Sequence, residues 1–232
     1  MFLKNSGLTT MNICVLIPSY NEEQAIGRII RGLKDRYHVV VYVVDDGSTD
    51  GTAAIAESEG AVVVKHRKNK GKGASLREGF KHVLKKGFDA VMLMDGDGQH
   101  GLEDVESFLR CMEDESADIV IGNRMLDTRS MPYVRRHTNR FMSNLISRIT
   151  RQFIPDSQCG FKLIKKDVLQ KVNLKSSNYE IESELLIKAA RAGFEIRSVP
   201  IKTVYQDEKS KINPIADTVR FIVFLMKMFL KP

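Results

Sequence analysis

The sequence has little of what marks a secreted or membrane-spanning chain. Only three of its 232 residues are cysteine, and they form neither a CxxC pair nor an even set, which favours reduced thiols in a cytosolic protein. Residues 1–10 lack the apolar stretch of a secretory signal. No segment approaches the roughly 20 apolar residues that span a bilayer, because the longest candidate, residues 221–230, is interrupted by Lys227. We therefore expect a cytoplasmic protein without a transmembrane helix.

Features of several common binding modules are also missing. The chain has no GxxxxGK[ST] phosphate loop, no repeat and no Gly/Ser linker, and its arginine-rich segment lacks the interleaved aromatic residues of a nucleic-acid-binding surface. Nucleic acid is therefore not the expected partner. Lys and Arg nevertheless outnumber Asp and Glu by 36 to 29, which gives a formal charge of +7 and a pI near 9.3. This balance favours anionic partners such as phosphorylated substrates or acidic lipids.

Up to residue 122, short β-branched runs alternate with amphipathic stretches, which predicts a mostly parallel sheet covered by helices. The predicted strands are 13–18, 39–45, 61–65, 90–95 and 119–122, and the predicted helices are 22–36, 51–59, 73–86 and 102–114. After Gly122, residues 124–151 contain seven arginines and a single acid, Asp127. There we predict a basic amphipathic helix, with an apolar stripe formed by Phe141, Met142, Leu145, Ile146 and Ile149. A strand at 161–164, a helix at 182–192, a strand at 196–201 and a helix from about Pro214 complete the prediction.

Two aspartates follow the predicted strand 90–95, where ligands of open α/β sheets bind. Asp95 and Asp97 are separated only by Gly96, so both carboxylates can turn toward one cation, and hard oxygen ligands suit Mg²⁺ or Mn²⁺. Asp-Gly-Asp-Gly is also an ordinary turn sequence. Its place directly after a buried strand favours the metal site.

A second acidic pair, Asp45 and Asp46, follows the strand 39–45. Ser48, Thr49 and Asp50 beside it are good helix N-caps, and capping accounts for part of this cluster. It leaves the paired acids unexplained, because their repulsion needs donors or a cation. We expect Asp46 to bind the base or ribose of a nucleotide. The loop 69–73, which contains Lys72, precedes a helix whose N-terminus could receive phosphate, although Gly-Lys loops are also common solvated turns.

Five ordered motifs resemble those of family 2 glycosyltransferases with the GT-A fold, particularly the dolichyl-phosphate mannose and glucose synthases. They are PSYNE (18–22), VDDGSTDGT (44–52), NKGKGASLREGF (69–80), MDGDGQH (94–100) and GNR (122–124). The resemblance implies an α/β fold of GT-A type with a mostly parallel central sheet and helices on both faces. It implies a tail at 1–11, a catalytic domain at 12–210 and an amphipathic helix at 211–232. Within the domain, residues 12–122 would bind the nucleotide sugar and residues 123–210 the acceptor.

The resemblance also implies roles for individual residues. Nucleotide-sugar binding falls to Pro18, Tyr20, Glu22, Asp46, Lys72, Asp95, Gly96, Gln99 and Arg124. Asp95, Asp97 and Gln99 would surround the metal, and Asp97, Asp156 and Arg124 would act in catalysis, with Arg124 meeting sugar or phosphate. Where the family often reads D-A-D, Gly96 replaces alanine. Glu180, Glu182 and Glu184 fall in a segment that faces the acceptor in the family, although acids at a helix N-terminus are also favoured by its dipole.

The implied reaction is inverting transfer of a hexose from a GDP-mannose or UDP-glucose type donor. A hydroxyl acceptor would need a general base such as Asp156, whereas a polyprenyl phosphate is already ionised and needs cations. The supply of cations favours the polyprenyl phosphate. The expected phosphate ligands are Arg135, Arg136, Arg140, Ser210 and Lys211.

Apolar and basic residues also alternate in the segment 211–232, which predicts peripheral contact with the inner face of the cell membrane. A helix docked on its own core or in a homodimer is an equally common use of such a pattern. Two other functions stay open at this point: a glycosyltransferase acting on a saccharide hydroxyl, and a non-catalytic nucleotide-binding protein on the same fold.

Overall fold

The computed structural model describes residues 11–129, 131–202, 221 and 223–226. The strands are β1 (Ile13–Ser19), β2 (Val40–Asp45), β3 (Val62–Lys65), β4 (Ala90–Leu93), β5 (Ile119–Asn123), β6 (Lys162–Lys165) and β7 (Ile196–Pro200). The helices are α1 (Ile26–Tyr37), α2 (Thr52–Ser58), α3 (Lys72–Leu84), α4 (Val105–Asp114), α5 (Tyr133–Thr150), α6 (Lys166–Lys171) and α7 (Glu180–Arg191), and a 3-10 turn at Leu102–Asp104 precedes α4.

These strands form one sheet in the order β3-β2-β1-β4-β6-β5-β7. All neighbouring pairs are parallel except those of β6, which runs antiparallel to both β4 and β5. Leu93 near the carboxyl end of β4 pairs with Lys162, where β6 begins. The residues that precede Lys162 therefore lie at the edge where the parallel strands end, together with the predicted polar clusters.

One buried apolar cluster extends from β1 to β7. The strands β1 and β5 are buried along nearly their whole length, which explains why their sequences are continuous apolar runs rather than alternating ones. Helix α1 buries Ile26, Ile30 and Leu33 at helical spacing and leaves its basic residues outside. The α/β fold class with a mostly parallel sheet is confirmed.

Some predicted boundaries were wrong. Helix α7 begins at Glu180 rather than at residue 182, and β6 occupies residues 162–165 rather than 161–164. Lys162, the first residue of β6, is fully buried. The six-residue helix α6 was missed, since it is too short to show a periodic pattern. In α5, Phe141 of the predicted apolar stripe is 55% exposed, whereas Met142 and Ile146 are buried.

Most of the predicted C-terminal helix lies outside the described residues, as do Ser210 and Lys211. Of its described positions, Phe221 and Leu225 are buried in the core cluster, and Val223 and Met226 are exposed. In this stretch the chain therefore packs on its own core through one side and leaves apolar residues exposed on another. Within the described residues, every helix is too short or too polar to cross a bilayer.

Candidate active site

A chain of buried charges joins the two halves of the molecule at the carboxyl edge of the sheet. The Lys72 ammonium at the start of α3 lies 2.6 Å from Asp95 Oδ1 and 2.9 Å from Glu182 Oε1. The other oxygen of Glu182 accepts a short hydrogen bond from Lys162, which is fully buried. Acids and bases thus alternate from Asp95 through Lys72 and Glu182 to Lys162, and each charge has an opposite charge beside it.

These neighbours keep the buried groups ionised. Burial alone would raise the pKa of the Asp95 carboxyl, but Lys72 and His100 outweigh it and hold that pKa well below its usual range. Burial likewise raises the pKa of Glu182, and the charges of Lys162 and Lys72 reverse the direction. Asp95 and Glu182 raise the pKa of Lys72 against its own burial. The site therefore presents a permanent anion at Asp95 and a permanent cation at Lys72.

Two further residues contact Asp95 that the sequence did not single out. His100 Nε2 lies 3.4 Å from Asp95 Oδ2, and its ring packs on Phe161 with centroids 5.0 Å apart. Gly160 approaches the same carboxylate so closely that a Cβ there would stand 2.2 Å from Asp95 Oδ2. Gly160 leaves the space in which Asp95 sits, a role that only contact across the sheet edge reveals.

Asp97 turns back on its own backbone. Its Oδ1 accepts a hydrogen bond from the Gln99 amide at 3.0 Å, and Asp97 and Gln99 are both partly exposed. Gly96 between the aspartates is buried, and a Cβ there would lie 2.7 Å from the Ser19 hydroxyl. The close approach of β1 and β4 at this position explains why glycine replaces the alanine of the family motif.

Asp46 is buried, and its carboxylate organises the loop before α3. Its Oδ1 contacts His66 Nδ1 at 2.6 Å and accepts the Lys70 amide at 2.9 Å, while its Oδ2 accepts the Gly71 amide at 2.8 Å. These hydrogen bonds offset the electrostatic repulsion expected between Asp45 and Asp46. This loop leads into α3 and so places the Lys72 ammonium beside the Asp95 carboxylate.

The start of α3 is covered by protein rather than open for phosphate. The Ala74 amide donates to Ser177 O, and a Cβ on Gly73 would meet the Ser176 carbonyl oxygen at 2.6 Å. The expectation that this helix N-terminus could receive phosphate oxygens does not match the geometry, because the loop before α7 already occupies it.

The segment after β1 packs against the loop that joins β2 to α2. The Glu22 amide donates to the Thr52 hydroxyl at 2.8 Å, and the Asn21 amide donates to the Ser48 hydroxyl at 2.9 Å. Pro18, Tyr20 and Glu22 are each partly exposed at this edge. The structure therefore places the residues predicted to bind the nucleoside beside the loop that follows β2 and contains Asp46.

Arg124 and Asp156 form a buried ion pair. Arg124 donates to the Asp156 carboxylate from Nε at 2.7 Å, from Nη2 at 2.9 Å and from its backbone amide at 3.2 Å. Asp156 has no exposed surface, and although burial raises its pKa, Arg124 lowers it below its usual value. In this structure the Asp156 carboxylate and the Arg124 guanidinium are therefore engaged with each other, and the catalytic roles expected for both residues stay predictions.

The predicted phosphate-binding arginines lie on α5. Arg140 is exposed, and Arg135 and Arg136 are partly exposed, with the Arg136 guanidinium 5.4 Å from the centre of the Tyr133 ring. Their role as ligands of the acceptor phosphate stays a prediction.

The chemistry of Asp95, Asp97 and Gln99 fits a hard divalent cation. The part of the chain that the structure describes contains no cluster of three or more His, Cys, Asp or Glu side chains able to hold a metal. Mg²⁺ in phosphate-transferring sites commonly takes one or two carboxylates and completes its shell with substrate phosphates and water. Two neighbouring aspartates and an amide oxygen therefore suffice if a diphosphate supplies the remaining ligands.

Comparison with known proteins identifies the family of the chain. The family model described as glycosyl transferase family 2 matches residues 14–172. An uncharacterized protein of Methanocaldococcus jannaschii is 36% identical, over 88% of this chain and 87% of its own length. The UDP-N-acetylglucosamine–dolichyl-phosphate N-acetylglucosaminyltransferase of Methanococcus voltae is 28% identical over 94% and 96% of the two chains. The polyprenol monophosphomannose synthase of Mycolicibacterium smegmatis is 32% identical over 83% and 77%.

Solved structures share the fold at lower identity. The crystal structure of glucosyl-3-phosphoglycerate synthase from Mycobacterium tuberculosis with Mn²⁺ and UDP-glucose superimposes with a TM-score of 0.74 at 22% identity, covering 96% of this chain and 82% of that one. Since the family model matches more than half of the sequence, and relatives above 30% identity cover most of it, the chain belongs to glycosyl transferase family 2 and is a glycosyltransferase with the GT-A fold.

Proposed function

We propose that this glycosyltransferase moves a sugar from a nucleotide sugar to a polyprenyl phosphate with the help of Mg²⁺ or Mn²⁺. The observation that carries the proposal is the Asp95 carboxylate at the end of β4, which is kept ionised beside Lys72 and followed by the partly exposed Asp97. This arrangement offers fixed charges of both signs at the sheet edge where α/β proteins bind nucleotides.

Asp95, Asp97 and Gln99 would hold the metal. When bound, the cation would act as a Lewis acid that neutralises the charge developing on the departing diphosphate. Lys72 would add a second positive charge on the same side, since its ammonium is fixed by Asp95 and Glu182. Pro18, Tyr20, Glu22 and the loop held by Asp46 would enclose the nucleoside.

The acceptor follows from what the site offers and lacks. The buried carboxylate of Asp156 already accepts hydrogen bonds from Arg124, which favours an acceptor that needs no base. A phosphate monoester already carries an ionised oxygen near neutral pH and attacks without a base. The names of the relatives from Methanococcus voltae and Mycolicibacterium smegmatis refer to dolichyl phosphate and polyprenol as acceptors. Direct displacement by the phosphate oxygen would invert the configuration of the sugar.

A panel of GDP-mannose, UDP-glucose and UDP-N-acetylglucosamine with a short-chain polyprenyl phosphate and Mn²⁺ tests the proposal. We expect one donor to yield a glycosyl polyprenyl phosphate, and Asp97→Ala to lose at least about 100-fold in rate because a metal ligand is removed. Asp114→Ala, an exposed aspartate at the end of α4, serves as the matched control and should act like the wild type. Full activity of Asp97→Ala, or transfer only to saccharide hydroxyls, would contradict the assignment.

A further inference from the structure

The first half of α5 exposes large apolar residues on its outward side, next to polar and basic residues. Tyr133, Val134 and Phe141 are 69%, 60% and 55% exposed. Val134 and Phe141 are seven residues apart, which places them on the same side of the helix two turns apart. His137 and Arg140 are exposed on the same stretch. We call these five residues the α5 outer face.

The segment of sequence that contains the α5 outer face carries charge of one sign. Between Asp127 and Asp156 the chain contains six arginines, no lysine and no acidic residue. Exposed apolar side chains set among cations, with no acid to repel phosphate, complement a surface of anionic phospholipid headgroups over an apolar interior.

Two hydrogen bonds show how α5 is oriented relative to the sheet. The Ser157 amide, next to Asp156 at the active edge, donates to the Ser143 hydroxyl at 2.9 Å. Past the helix end, the Gln152 side chain accepts the Ile196 amide at 2.8 Å, at the amino end of β7. The helix therefore runs from the active edge of the sheet toward the opposite edge. Its first ten residues extend about 15 Å beyond Ser143 on the active side.

We propose that the α5 outer face docks this glycosyltransferase on an anionic phospholipid surface, with Val134 and Phe141 entering the boundary between headgroups and acyl chains. The docked half of α5 lies at the carboxyl edge of the sheet, the edge that also holds Asp95 and Lys72. The choice of partner rests on the proposed function, because a polyprenyl phosphate presents its phosphate at that surface. The vesicle measurement itself does not depend on the reaction.

Binding of the full chain to phosphatidylcholine vesicles, with and without 30 mol% phosphatidylglycerol, is the direct test. We expect binding to the anionic vesicles that weakens as salt rises, since cations near such a surface each contribute about a fivefold gain at low salt. The double variant Val134→Ser/Phe141→Ser should bind at least about tenfold more weakly, because it loses the apolar part of the contact. Val62→Ser, at a 47% exposed apolar residue on β3, is the matched control and should bind like the wild type. Circular dichroism and thermal unfolding check that all variants are folded.

Other outcomes overturn the inference. They are absence of wild-type binding to anionic vesicles, equal binding to neutral ones, or an unchanged double variant, which would assign any binding to another segment. Conversion of a dimer to a monomer by the double variant in sedimentation, with vesicle binding intact, would assign the α5 outer face to a second copy of the chain.

Activity measurements separate this inference from the proposed function. The double variant should keep transfer to a water-soluble short-chain polyprenyl phosphate and lose transfer to a long-chain acceptor embedded in vesicles. Loss of both would place the α5 outer face in the catalytic site instead and contradict the docking role. Vesicle binding that depends on Val134 and Phe141, without transfer to any polyprenyl phosphate, would leave the docking surface standing and refute the proposed acceptor.

Discussion

Replacing Lys72 with methionine tests how the metal and the nucleotide depend on each other. The Lys72 ammonium lies 2.6 Å from Asp95 Oδ1, and a divalent ion bound to the same oxygen at about 2.1 Å would stand at most about 5 Å from it. At an effective dielectric constant of about 20, the repulsion of the two cations is about 7 kcal/mol. Lys72 can relieve part of it by moving toward Glu182, and a diphosphate cancels it by adding negative charge between the two cations.

We therefore expect the wild type to bind Mn²⁺ tightly only together with the nucleotide. A residual penalty of about 1–3 kcal/mol corresponds to a coupling of about 5- to 150-fold between the two ligands. In Lys72→Met, Mn²⁺ alone should bind at least about tenfold more tightly, and the gain on adding UDP or GDP should shrink. Titration of free Mn²⁺ by electron paramagnetic resonance, with and without nucleotide, measures both constants without turnover.

Lys70→Met is the matched control, because it removes the same charge from an exposed position of the same loop. Its Mn²⁺ affinity and its coupling should equal those of the wild type. If Lys72→Met bound Mn²⁺ alone no better than the wild type, Lys72 would not compete for the metal position. If Mn²⁺ failed to bind even with nucleotide present, the metal site itself would be refuted.

Two further perturbations follow from the same geometry. Gly160→Ala should displace the Asp95 carboxylate and weaken Mn²⁺–nucleotide binding at least about tenfold. The urea unfolding midpoint should change little, because the end of a side chain rather than the backbone must move. Unchanged binding would show that Asp95 tolerates the shift. Acid should destabilise the protein, because the pKa values of Asp156 and Glu182 are lowered in the folded state, so their contribution is present above the unfolded values of about 4 and is lost as pH falls. The urea midpoint should fall as the pH is lowered from 5 to 3.5, and it should fall less in Asp156→Asn, which has already lost the carboxylate that binds Arg124. A midpoint independent of pH over this range would refute the linkage.

Much of the fold follows from local sequence. The runs at β1, β2 and β5 are apolar on both faces because helices cover the sheet, and such runs identify parallel strands without any alignment. The aspartates after β4 were identifiable for the same reason, since a polar pair directly after a buried strand must lie at the carboxyl edge. Segment length and hydrophobic periodicity did not predict α6, because its six residues do not complete two helical turns.

Contacts between distant segments could not be predicted in this way. Glu182 was given two explanations from its sequence, a helix dipole or an acceptor contact, and the structure instead places it between two ammonium groups. Nothing local to residue 182 indicates that Lys72 and Lys162, 110 and 20 residues away, end beside it. Asp156 was chosen as a base because it is an acid in a family motif, but its burial and its pairing with Arg124 depend on where β5 and β6 meet.

The alternation of charges at the sheet edge links stability to function. Buried ion pairs contribute little net stability when intact, whereas removing one partner typically costs about 3–5 kcal/mol because a charge is left unanswered. Lys162 and Glu182 therefore contribute by holding Lys72 in place rather than by strengthening the core, and Lys72 holds Asp95 in its ionised form. Lys162 and Glu182 belong to the half of the chain predicted to bind the acceptor, so that half also positions Lys72 in the half predicted to bind the donor.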